Sequence, residues 1–280
     1  MKDIGYYNGT IGNLDEMTVP MNDRAGYFGD GIYETALVPQ DNFPDLDKHI
    51  DRFFRGAAAI SMTVPFEKKE LKQLLKEVTL RSEYDTKFLY WQLTRGTARR
   101  MHTFPKGTPN LWITVTEGFF PDLKKKLHLI TTEDRRHGFC NIKTLNLIPS
   151  VIANQKAKEA GCQEVIFHRG DRVTEMAHSN VSFLIDGTLV YHPFDNKVLP
   201  GIAIKHLIKT AEKLGVPTRA EEITVTEAMN ADELIITSSG TLCNRITEVD
   251  KIPVGGKADE LFHKLQDAAW DEFMVYTKQK

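Results

Sequence analysis

Along the whole chain, stretches with apolar residues at helical spacing alternate with short runs of β-branched and aromatic residues. This alternation constrains the fold more than any other feature, because it requires helices packed on sheets and so a mixed α and β class. Asp47 is placed to cap a helix in which Ile50, Phe53, Phe54, Ala57 and Ile60 recur, and Leu71, Leu74, Leu75 and Val78 mark a second. Phe88–Thr94 and Leu111–Thr116 read as strands, joined by a long loop containing Gly96, Pro105, Gly107 and Pro109. The pattern breaks at Gly118-Phe119-Phe120-Pro121-Asp122-Leu123, just before the basic run Lys124–Lys126, which reads as a solvated turn. The expected organisation is a smaller N-terminal domain over 1–117, a connection over 118–123 and a larger C-terminal domain over 124–280 that carries Lys143.

In the second half, Gln163–His168 and Val181–Ile185 read as strands, and Asp186-Gly187 joins the latter to Leu189–His192 as a hairpin. One helix is expected from about Ser150 to Ala160, stopping at Gly161. Another carries Ile204, Leu207, Ile208, Ala211 and Leu214 and stops at Gly215, with Pro217 beyond, and a last amphipathic helix runs from Asp259 to Phe273.

A net charge of -2 gives no electrostatic reason to expect nucleic acid or an anionic membrane, so small molecules are the expected partners. Cys140, Cys162 and Cys243 are odd in number and widely spaced, which argues against a disulfide framework or a zinc site and fits a reducing cytoplasm. No metal site is expected, since the histidines do not cluster along the chain. No apolar run approaches the length of a bilayer, and the N-terminus lacks a signal h-region. Dinucleotide, P-loop, zincin and GxSxG hydrolase signatures are also missing.

Chemistry enters at Asn141-Ile142-Lys143-Thr144-Leu145-Asn146-Leu147, where one lysine sits among apolar and small polar residues. Most lysines reach solvent; one desolvated enough to be neutral is a nucleophile suited to an aldehyde cofactor. Val173-Thr174-Glu175-Met176-Ala177-His178-Ser179-Asn180-Val181 follows. The pair resembles the class IV aminotransferases, the fold type IV pyridoxal-phosphate enzymes, and among them the D-amino acid aminotransferases. Further signatures match in order: Asp23–Glu34, His49-Ile50-Asp51-Arg52, Thr94-Arg95-Gly96-Thr97, Leu199-Pro200-Gly201-Ile202 and Asp232–Ser238.

The resemblance implies an α+β, two-domain fold type IV enzyme that binds pyridoxal 5'-phosphate. Lys143 would be its Schiff-base lysine and the carrier of the substrate's Cα proton, with Glu175 on the cofactor's ring nitrogen. Arg52 would pair with the phosphate. Backbone amides near Leu199, Gly201 and Ile202, and at Ser238, Ser239 and Gly240, would complete a phosphate cup, because uncapped N–H groups attract an anion. Tyr33 would lie beside the lysine or the substrate.

Arg100-x-His102 resembles the carboxylate grip of D-amino acid aminotransferases, which reaches in from the neighbouring subunit. It implies a homodimer that exchanges amino groups between D-amino acids, such as D-alanine or D-glutamate, and 2-oxo acids, such as 2-oxoglutarate or pyruvate. Aminodeoxychorismate lyase and branched-chain L-amino acid aminotransferase activities share the scaffold, and a non-catalytic pyridoxal-phosphate protein is the alternative of a different class. Asn141, Met176, His178 and Ala203 depart from the family pattern at positions bearing on pocket size and cofactor affinity.

Overall fold

The computed structural model describes residues 1–278. By its internal contacts the chain forms two units, Met1–Phe120 with Ile142–Asn146, and Pro121–Asn141 with Leu147–Val275. The sequence placed Lys143 with the C-terminal part; its short segment instead groups with the first unit.

The first unit contains β1 (Ile4–Tyr7), β2 (Thr10–Asn13), α1 (Arg24–Phe28), β3 (Gly31–Pro39), α2 (Leu46–Ala59), α3 (Lys68–Thr79), β4 (Thr86–Thr94) and β5 (Asn110–Glu117). Its strands form one antiparallel sheet in the order β2-β1-β5-β4-β3. Alternation along β3 gives Ile32, Glu34, Ala36 and Val38 one face and Tyr33 and Thr35 the other. Ile32, Ala36 and Val38 join Ile50 and Phe53 of α2, Leu71 and Leu75 of α3, and Trp91 in a continuous core. Truncating a side chain as buried as Phe53 should cost about 3–5 kcal/mol. The N-cap of α2 is Asp45, in the left-handed conformation at φ 54°, rather than Asp47, which lies in the first turn where its charge favours the helix dipole.

The second unit contains β6 (Leu127–Glu133), α4 (Ile148–Glu159), β7 (Glu164–Arg169), β8 (Arg172–Met176), β9 (Asn180–Ile185), β10 (Thr188–Tyr191), α5 (Ile202–Lys213), β11 (Thr218–Ala220), α6 (Val225–Asn230), β12 (Glu233–Thr237), β13 (Asn244–Val249), β14 (Ile252–Pro253) and α7 (Asp259–Lys278). Its mixed sheet runs β11-β10-β9-β12-β13-β6-β7-β8, with β14 beside β13. Asp186 and Gly187, both at positive φ, make the tight turn of the β9–β10 hairpin, as their sequence predicts. Among the described residues no helix is long and apolar enough to cross a membrane.

Candidate active site

Lys143 is fixed through its backbone to β3, the edge strand of the first sheet. The Tyr33 amide donates to the Lys143 carbonyl at 3.0 Å and the Leu145 amide to the Gly31 carbonyl at 3.1 Å, so Ile142–Asn146 covers part of the free edge. The approach requires a glycine: a Cβ on Gly31 would lie 2.5 Å from the Leu93 carbonyl oxygen and 2.7 Å from a Leu145 methyl. The half-buried Lys143 places its Nζ 4.2 Å from the centroid of the Tyr33 ring. Tyr33 in turn stacks on Tyr90 at 5.6 Å. The structure thus brings Lys143 and Tyr33 together.

One residue along β3, on the helix-covered face, Glu34 is wholly buried and receives both Nε (2.6 Å) and Nη2 (2.8 Å) of Arg52. His49 Nδ1 lies 2.9 Å from the same carboxylate. Burial pushes the Glu34 carboxyl up, but the Arg52 charge and its hydrogen bonds, with those of His49, outweigh it and leave the group at about 2. A permanently ionised Glu34 thus sets the plane of the Arg52 guanidinium. Bond partners of Lys143 and Arg52 are consecutive residues of a single strand.

In the second unit, Glu175 lies on β8 with its carboxylate buried. Its Oε1 accepts from Arg136 Nη1, and its Oε2 accepts from Asn180 Nδ2 and from the Leu199 amide, each at 2.9 Å. Arg136 is shared: its Nε and Nη2 bind Asp134, each at 2.9 Å. Burial raises the Glu175 carboxyl to about 7, because the opposing pull of Arg136 is divided with Asp134, whose own charge adds to the rise.

Gly201 and Ile202 open α5 as the sequence predicts, and no side chain caps that end. A Cβ on Gly201 would lie 2.1 Å from Asn180 Oδ1, so any side chain there must displace the amide that braces Glu175. In the turn after β12, Ser238 Oγ accepts from the amides of Gly240 (3.2 Å) and Thr241 (3.1 Å). Those N–H groups are capped by a serine hydroxyl, a common alternative to leaving them open. Ser239 and Gly240 lie in the same turn.

Arg100 and His102 lie on the loop between β4 and β5, and both are exposed. Neither makes a hydrogen bond or ion pair among the described residues; instead the Arg100 Cζ sits 5.2 Å, and the His102 ring 5.3 Å, from the Phe28 ring.

A model of the family Amino-transferase class IV matches residues 31–249, a span that contains Lys143, Glu175 and every other predicted site residue. The chain belongs to the class IV aminotransferases. This class IV aminotransferase is 35% identical over 253 residues to a D-alanine aminotransferase of Listeria monocytogenes, covering 88% of each chain. It is 34% identical over 269 residues to one of Staphylococcus aureus, covering 94% of this chain and 95% of that one. Its fold is that of a branched-chain amino acid aminotransferase from Escherichia coli (TM-score 0.87, 21% identity, 100% of this chain and 97% of that one). The same holds for one from Thermoproteus uzoniensis with norvaline (TM-score 0.88, 19% identity, covering 99% and 96%).

Several contacts around the predicted site residues, and one cluster apart from them, escaped the sequence reading. Arg136 and Asp134, which set the Glu175 proton, lie some forty residues upstream in an irregular segment. Thr237, paired with Asn180 across β9 and β12, keeps a buried hydroxyl without a hydrogen-bond partner. His178, one of the departures, has its Nδ1 2.5 Å from the buried Glu164. His192, Asp195 and Glu222 converge within 4.8 Å, a trio hidden by their spacing, and Lys197 is the cation paired with both carboxylates.

Proposed function

We propose that this class IV aminotransferase uses pyridoxal 5'-phosphate to transfer the amino group of D-amino acids, of the D-alanine and D-glutamate type, to 2-oxo acids such as 2-oxoglutarate or pyruvate. The observation that carries the substrate class is the pair Arg100 and His102, exposed and without polar partners, on a scaffold whose curated relatives bear the name D-alanine aminotransferase. An arginine with its in-plane N–H groups unspent fits a carboxylate fork to fork.

The residues present fit the cofactor in their donor chemistry. Lys143 is a half-buried amine beside a tyrosine face, and Glu175 is a buried carboxyl poised near neutrality. The first turn of α5 has no capping side chain, and no Cβ could be placed at Gly201 without displacing Asn180. When bound, pyridoxal phosphate supplies an aldehyde and an electron-withdrawing ring. Lys143 is the residue that would hold it covalently, Glu175 the partner of the ring nitrogen, and Arg52, Gly201, Ile202, Ser238, Ser239 and Gly240, with Leu199 alongside, the phosphate and ring contacts. Glu34 keeps Arg52 oriented for that task. The Lys143 amine removes the proton from the substrate's Cα and returns it, a role that supplies about 10²–10⁴-fold of rate. Tyr33 limits the directions in which that amine can swing. Arg100 and His102 fix the α-carboxylate, and the side from which they do so decides which enantiomer turns its Cα hydrogen to Lys143.

A homodimer belongs to the same proposal. In one protomer Arg100 and His102 face solvent, and Ile148, Val151 and Ile152 form an exposed apolar stripe at positions i, i+3 and i+4 of α4. Sedimentation should give a dimer at working concentration; an active monomer would refute it. Product formation from a panel of D- and L-amino acids with 2-oxoglutarate tests the substrate class. Turnover of D-alanine with L-leucine left untouched is expected, and the reverse would return the chain to L-branched-chain chemistry.

A further inference from the structure

We propose that Arg24 and Phe28, both on α1, are positioning residues that hold the Arg100-Met101-His102 triplet in shape for a substrate carboxylate; this rests on the reading of that triplet as the carboxylate grip.

The triplet lies in a stretch without regular structure, and the Arg100 and His102 side chains make no hydrogen bond or ion pair among the described residues, so something else must set their geometry. The single helical turn of α1 does so at two levels. Arg24, almost fully buried, donates from Nη1 to the carbonyl of Met101, the middle residue of the triplet, at 2.6 Å. Its Nε donates to Asp30 Oδ2 at 2.7 Å, and Asp30 also receives Arg95 Nε at 2.9 Å, just where the loop leaves β4. One carboxylate therefore ties the base of the loop to its tip. The second level is the ring of Phe28, which lies 4.8 Å from the Arg24 Cζ and 5.2 Å from the Arg100 Cζ, with the His102 ring at 5.3 Å. An aromatic face attracts guanidinium groups that would otherwise repel each other. A guanidinium held by its face keeps its edge N–H groups for a carboxylate.

The turn is itself anchored at both ends. Asp23 caps it by accepting from the Ala25 amide at 2.8 Å and also accepts from Thr94 Oγ1 (2.9 Å) and Asn110 Nδ2 (2.8 Å). Gly29 closes it at φ 61°, a conformation that favours glycine. The Arg24 amide donates to the Gly96 carbonyl at 3.0 Å, and the Ala98 amide to the Asn22 carbonyl at 3.1 Å. Platform and grip thus form one braced unit.

Steady-state kinetics of the holoenzyme with D-alanine tests the inference on four variants: Phe28→Leu, Phe28→Tyr, Arg24→Lys and Arg100→Ala. A loosened grip weakens ground-state and transition-state binding alike, so Phe28→Leu and Arg24→Lys should raise KM about 5–20-fold with kcat within about twofold. Phe28→Tyr keeps the ring and should restore KM to within about twofold of the parent, which a general packing role would not require. Cofactor absorbance should be unchanged throughout. If Phe28→Leu and Arg24→Lys leave KM unaltered while Arg100→Ala raises it, the platform is wrong and the grip stands. An unaltered KM in Arg100→Ala removes the grip and the platform together. A fall in kcat at constant KM in Phe28→Leu also overturns the positioning role, and should Arg24→Lys fail to fold, the two Phe28 variants decide alone.

Discussion

Glu34 and Glu175 are both buried glutamates on strands and both face an arginine, yet their protons are held in opposite ways, at about 2 for Glu34 and about 7 for Glu175. The difference lies in how many carboxylates share the cation. Glu34 takes a hydrogen bond from Arg52 on each oxygen, with His49 Nδ1 against the one that receives Nη2, and among the described residues shares that guanidinium with no second carboxylate. Glu175 has one contact with Arg136, whose other nitrogens are committed to Asp134. An arginine neighbour alone therefore does not fix a carboxylate's charge. A carboxylate at about 2 suits a permanent anchor for Arg52, and a carboxyl near neutrality suits a partner with which a proton is shared.

The largest effect is expected at Glu34. Glu34→Gln leaves Arg52 buried with its counter-charge removed, which should cost about 3–5 kcal/mol in urea unfolding. Because the folded-state group is lowered to about 2, its stabilisation is present above the unfolded value near 4.5 and is lost as pH falls from there through about 2. The variant should lack that acid-side decline; equal unfolding midpoints for variant and parent would break the comparison.

Glu175→Gln should reduce kcat by about 10²-fold, since the amide cannot hold a shared proton as a carboxyl does. Its stability effect has the opposite sign. With the folded-state group raised to about 7, the native form binds the proton more tightly than the unfolded chain, so the stability contributed by Glu175 falls as pH rises from about 4.5 to about 7. Glu175→Gln should remove that contribution, and parent and variant stabilities that run parallel across this window would contradict the assignment.

A smaller effect is expected at Gly201. Gly201→Ala should cost about 1–3 kcal/mol, because its Cβ must push aside the Asn180 amide braced between Glu175 and the Leu199 carbonyl. Combined with Asn180→Ala the cost should be less than additive, and strict additivity in a double-mutant cycle would show that the two sites are independent.

Elements with strong local signals were legible in the sequence. The apolar spacing of α2 and α3, the Gly161 and Gly215 stops after α4 and α5, and the Asp186-Gly187 hairpin all follow from neighbours in the chain. By contrast β1 and β2 were missed, each four residues long and each containing a glycine, because their strand character comes from pairing with one another and with the distant β5. The same distinction runs through the residues singled out for chemistry. Lys143, Glu175 and Gly201 stand in short motifs that can be read locally. Arg136, Asp134, Arg24 and Phe28 act through contacts that the fold creates, and the serine cap on the Gly240 amide depends on a side-chain rotamer that no spacing encodes.

Borohydride reduction of the holoenzyme, followed by peptide mapping, is the most direct measurement of whether Lys143 is the reacting lysine. The pyridoxyl mass is expected on the peptide containing Lys143, with Lys143→Ala left unlabelled and almost inactive. A label on any other lysine, or full turnover in Lys143→Ala, would contradict it.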